Sequence, residues 1–169
     1  VPFSIELKGL DQFKKQIAEA QKNVQRVVAA EIKDGALAIA EDAKKAAPAD
    51  EGFLKNGITL QELNPFNWAI ISNAAYSAYI EFGTGSKVQI PPTYEEFAAQ
   101  YKGGGGSNGS FYEAIKEWVK RKGIDPKASY VIMREILANG LAPHPFFIPA
   151  FVKNQPIIIK RIEAALKTI

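Results

Sequence analysis

The sequence predicts an α+β fold. In it a long N-terminal amphipathic helix packs on a small antiparallel sheet, followed by a helical insertion and a C-terminal helix. Three observations predict it. Apolar residues recur at helical spacing from Phe13 to Ala43. Two strand-like runs, Ile58 to Leu63 and Trp68 to Asn73, flank a loop holding Asn64, Pro65 and Asn67. After Lys87 the pattern changes to helices punctuated by glycine turns. The 169 residues are enough for one domain with a real core and too few for two ordinary ones. Residues 1–169 therefore read as a single domain, with residues 87–137 as the helical insertion and residues 103–109 as its Gly-rich loop.

Taken in order, Phe3, Ile5 and Leu7 alternate with Ser4, Glu6 and Lys8, the pattern of a short half-buried strand closed by Gly9. Asp11 reads as a helix N-cap. The helix behind it carries Phe13, Ile17, Val24, Val28, Ile32, Ala36, Ile39 and Ala43, as one piece or as two with a break near Asn23. Gly35 costs it about 1 kcal/mol relative to Ala and marks a place of close backbone approach. Ala36, Ala40, Ala43 and Ala47 form a small-residue face suited to tight packing, and Pro48 ends the run. Residues 49–57 are a polar connection ending in an Asn56-Gly57 turn, and the two strand runs then form a hairpin. Between Ala74 and Phe82 the aromatics fit neither period, and the reading is a helical turn followed by a short strand.

In the insertion, Thr93 and Glu96 form a capping box for a short helix, and Ser110 and Glu113 form a second. The second helix carries Phe111, Ile115, Trp118 and Val119 and stops at Gly123. Asp125-Pro126 starts a third, which ends at Asn139-Gly140. Residues 143–150 are rigid and apolar. The last helix carries Phe151, Ile158, Ile162, Leu166 and Ile169, and Pro156 should kink it or mark its true start.

Composition narrows function. Twenty-one basic residues against 18 acidic ones give a net charge of +3, mildly basic. That tolerates nucleic acid without arguing for it. With no cysteine there is no disulfide framework, thiolate nucleophile or Cys-based metal site. No apolar run approaches the ~20 residues of a membrane span, so no membrane contact is expected, and no N-terminal secretory pattern is present.

The richest stretch is Ala75 to Ser86, where Tyr76, Tyr79, Glu81 and Phe82 precede Gly83-Thr84-Gly85. The glycines lack the spacing of a P-loop or a dinucleotide fingerprint, so a tight corner is the better reading. Glu81, between Ile80 and Phe82, reads as a partly buried carboxylate. It could act as a general acid, but the favoured role is to accept backbone N–H bonds from the following turn or to pair with a cation. His144 is the only histidine and has no nucleophile motif beside it. No catalytic, cofactor or metal residues are assigned. Residues 110–139 invite a helix-turn-helix reading. The second helix offers only Lys127 and Arg134 among apolar neighbours, so base readout is not expected.

Two stretches, Tyr79-Ile80-Glu81-Phe82-Gly83-Thr84-Gly85 and Pro145-Phe146-Phe147-Ile148-Pro149-Ala150, resemble the paired signatures of a tailed-bacteriophage family of neck and tail-completion proteins. The Gly9-Leu10 helix start and the exit at Ala43-Lys44-Lys45-Ala46-Ala47-Pro48, followed by Gly52 and Leu54, are also similar. The resemblance covers residues 5–86 and 138–169; the insertion and Pro156 depart from it. It implies a non-enzymatic structural virion protein of the head–tail junction, assembled in the bacterial cytoplasm. Its implied partners are copies of itself in a ring and other neck and tail proteins; separately, the mild positive charge would tolerate passing DNA contacted without sequence preference. Tyr76, Tyr79, Glu81, Phe82, Gly83, Thr84, Gly85, Pro145, Phe146 and Pro149 are the motif and interface candidates. Two alternatives stand beside it: a tail terminator of the same particle, and a small hydrolase or nuclease using Glu81 and His144.

Overall fold

A computed structural model describes residues 10–49, 52–83 and 108–168, together with Pro92 and Glu95. The expected strand at Phe3–Lys8, the capping box at Thr93, the Gly-rich run from 103 to 107, and Thr84 and Gly85 lie outside the described residues.

The fold is α+β, mostly helical. Helix α1 is a single element, Leu10–Ala46. Of the two readings, one piece or a break near Asn23, the single piece holds: Asn23 carries only a modest propensity cost, and both flanks are good helix formers. Asp11 sits inside the first turn rather than before it. Its charge still faces the positive end of the helix dipole. The small-residue face is buried as expected, with Ala36, Ala40, Ala43 and Ala47 at 6% exposure or less.

A four-residue helix, α2 (Phe53–Asn56), interrupts the polar connection and seats Leu54 in the core. Strands β1 (Ile58–Asn64) and β2 (Asn67–Ser72) form an antiparallel two-stranded sheet. Ile58 lies opposite Ser72 and Leu60 opposite Ile70, with an irregularity beside Glu62 near the turn. Both strands pack on α1. The short strand expected before Phe82 is instead helix to the end: α3 is Ser77–Phe82. Under two turns of helix place Tyr76, Tyr79 and Phe82 inward at helical spacing, which a six-residue window could not distinguish from alternation.

Helix α4 (Asn108–Arg121) begins before the expected cap, so Asn108 and Gly109 belong to it and Ser110 lies within its first turn. Gly123, at φ +65°, ends the turn behind it. Helix α5 (Ala128–Asn139) starts just after Asp125, whose carboxylate accepts the Lys127 N–H at 2.9 Å. Helix α6 (Phe147–Leu166) starts at Phe147, with Pro156 inside it.

Helices α1 and α6 run antiparallel and form the longest contact. Asp42 meets Lys153 and Asn154, Gly35 meets Ile158, and Glu31 meets Arg161. The core gathers α1 (Ile39, Ala43), α2 (Leu54), β1 (Ile58), α3 (Tyr79), α4 (Phe111, Val119) and the start of α6 (Phe146, Ala150). Helix α4, inside the stretch read as an insertion, thus supplies part of the central core.

Candidate functional site

The two signature stretches meet in space, and Glu81 joins them. Helix α3 turns its carboxylate inward, where the residue is 5% exposed. There it faces the first turn of α6, some 65 residues later in the chain. The Phe146 and Phe147 N–H groups donate to Oε2 at 2.7 and 2.9 Å, and the Ile148 N–H donates to Oε1 at 2.9 Å.

The reason lies in helix ends. The first four N–H groups of an α-helix have no intrahelical acceptor. In α6 they belong to Phe146, Phe147, Ile148 and position 149. Glu81 accepts three, and the fourth does not exist because residue 149 is proline. Phe146 at the N-cap position has no side-chain acceptor of its own, so the cap comes from a distant part of the chain. The carboxylate also lies at the positive end of the helix dipole, which favours its charge. Backbone N–H donors are the expected partners of Glu81, but they come from α6 and not from the turn that follows it.

Gly83 fits the same junction. Its φ of +69° and ψ of −174° belong to a backbone region open essentially to glycine alone. A Cβ there would stand 2.5 Å from the Leu141 carbonyl oxygen and 2.9 Å from the Pro143 nitrogen. The His144 N–H donates to the Ile80 carbonyl at 2.7 Å, adding a backbone clasp. Glu81, Gly83 and the Ile80 carbonyl therefore hold residues 141–148 against α3.

The aromatics support this corner from below. The Tyr79 ring lies 4.5 Å from that of Phe111, and Tyr76 stacks on Phe53 at 6.1 Å. The Arg121 guanidinium sits 4.1 Å from the Phe53 ring centre and 5.1 Å from that of Tyr76. Arg121 thus covers two aromatic faces. Phe82 and Phe146 are buried, whereas Pro145 and Pro149 are exposed. The His144 side chain is exposed as well.

Sequence reading missed two contributors. Asp42 accepts hydrogen bonds from Lys153 Nζ at 2.7 Å and Asn154 Nδ2 at 2.9 Å, and these bonds hold its carboxyl below the ordinary aspartate range. Asn154, buried at 6% exposure, also donates to the Ala150 carbonyl. An asparagine amid the apolar positions of the last helix was the available signal. Among the described residues no acidic or histidine cluster could hold a metal, and no helix is long and apolar enough to cross a membrane.

These contacts define a junction of non-local design, in which a buried carboxylate caps a helix from a distant part of the chain. Residues 11–83 match the family described as "Bacteriophage HK97-gp10, putative tail-component". The matched stretch contains α1, the hairpin and the Glu81–Gly83 corner, so the phage resemblance read from the sequence holds there. No curated protein and no solved structure matches the chain.

Proposed function

We propose that this chain is a structural protein of a tailed-phage particle that sits at the head–tail junction as an oligomeric ring between connector and tail tube. The family match to a phage tail component over residues 11–83 supports the virion setting. The observation that carries a structural role is the Glu81 junction. Both carboxylate oxygens accept backbone N–H groups, so the best acid–base candidate in the chain is committed to holding two segments together. A hydrolase using Glu81 would have to break that cap on every turnover. The exposed first half of α1, with Leu10, Phe13 and Ile17 open to solvent, offers surface for neighbouring subunits. A net charge of +3 would tolerate DNA passing through a ring.

The test is genetic and microscopic. A phage or prophage lacking this chain should yield filled or leaking heads beside unattached tails in electron micrographs. Normal infectious particles would overturn the proposal. Sedimentation of the purified chain should give one closed oligomer, and its position in the particle should lie between head and tail tube.

A further inference from the structure

The edge of β2 turned away from β1 borders an apolar groove of about 600 Å³. On one side lie Ile70, Ile71 and Ser72, and on the other Ala78, Phe82 and Ile148. Side chains alternate across a strand, so three consecutive residues line one cavity when the strand presents its edge to it. The pairing phase says which backbone groups are free there. The Asn73 N–H donates to the Gly57 carbonyl. Antiparallel pairs alternate, so Ile71 and Ala69 also bond to β1. The N–H and C=O groups of Trp68, Ile70 and Ser72 then point away from β1, and among the described residues no strand pairs with them. The Ser72 hydroxyl oxygen is buried without a hydrogen-bond partner.

We propose that residues 3–8 of a second copy add as a strand to this edge and fill the groove. The inference rests on the self-assembly reading above and names its contact. Phe3, Ile5 and Leu7 alternate with Ser4, Glu6 and Lys8, so an added strand turns three apolar side chains to one face. Reach decides against the chain's own segment. Trp68, at the near end of the edge, lies at the level of Lys33 on α1, whose Nζ is 5.9 Å from the indole ring. Leu10 is 23 residues before Lys33 on one unbroken helix, which is about 35 Å at 1.5 Å per residue. Seven extended residues from position 9 back to Phe3 cover at most about 25 Å. The segment therefore falls short of its own β2. A projecting α1 carries it toward a neighbour instead, giving a head-to-tail contact of the kind that closes rings.

The chain has no cysteine, which makes a cross-linking test clean. Chains carrying single cysteines at each of positions 3–8 are mixed with Ser72→Cys chains and oxidised. Intermolecular cross-links should rise and fall with a period of two. Ile5→Pro should weaken association at least about tenfold while leaving the thermal melt of the body unchanged. Oligomers that survive Ile5→Pro intact, together with no cross-link above background in the cysteine pairs, would overturn the inference and leave the ring standing. A cross-link formed within one chain carrying both cysteines would also overturn it. A wild-type chain that stays monomeric at high concentration would remove the self-assembly reading and this contact with it.

Discussion

Glu81 ties α3 to the start of α6 through three backbone hydrogen bonds that span some 65 residues of chain. Removing it should show this. Glu81→Ala leaves three N–H groups without acceptors in a buried setting and should cost about 3–5 kcal/mol. Glu81→Gln keeps one acceptor oxygen but turns an NH₂ group toward the helix and loses the charge, and should cost about 2 kcal/mol. Urea titration followed by circular dichroism reads both, and a cost under about 0.5 kcal/mol for Glu81→Ala would show that the cap contributes nothing. The sequence made half of this legible. A carboxylate between Ile80 and Phe82, ahead of a glycine corner, announced burial and backbone partners. Its actual partners were hidden because they lie on a different element. The overlooked hint was on that element: α6 begins at Phe147 after an N-cap Phe146 that cannot cap. A helix start without its own acceptor demands one from elsewhere.

At the scale of elements, the α1–α6 pair tests how packing and electrostatics combine. Gly35→Ala would ordinarily gain up to about 1 kcal/mol in a helix. Here the new methyl would stand 2.5 Å from Ile158 Cδ1 and Cγ1, and overpacking of that kind costs about 1–3 kcal/mol. The substitution should therefore destabilise, and Ile158→Ala in the same chain should reverse its sign. A double-mutant cycle with additive energies would refute the contact. Asp42 adds a pH dependence. Its folded-state value lies below its unfolded one, first through the hydrogen bond from Lys153 and then that from Asn154. Such a group stabilises the fold above the ordinary aspartate value of 3.8 and loses that contribution as pH falls through its lower folded value. The stability gap between wild type and Asp42→Asn should be open at pH 6 and should close as pH falls below the ordinary aspartate value of 3.8. Parallel curves would rule the linkage out. Helix α1 was legible because it is long, so its apolar period repeats many times. Helix α3 was not, because six residues hold under two turns. The Asp42 pairing was not either, since nothing local in Glu41-Asp42 records a partner 111 residues away.

Across the molecule, the core among the described residues crosses both ends of the stretch 87–137 that the sequence set apart. Val119 is fully buried and clusters with Ile39 and Ala43 of α1, Tyr79 of α3 and Phe146 before α6. Its helix lies inside the stretch that composition marked off as an insertion. Glycine runs and capping boxes reveal where elements start and stop, but not which of them share a core. A single cooperative unit is the proposal this shared core supports. Val119→Ala tests it, because it deletes two methyl groups at a site with no exposure and should cost about 2 kcal/mol. In a cooperative molecule that loss is felt far from the substitution. Amide exchange at Ile39 and Ala40, in the centre of α1, should accelerate about thirtyfold under conditions where exchange requires global opening. In a modular molecule, α4 and α5 would open alone, exchange in α1 would keep its wild-type rate, and unfolding would split into two transitions. Unequal responses of α1 and α4 would therefore make the insertion a separable module, and equal ones would make it part of the scaffold that holds the Glu81 junction in place.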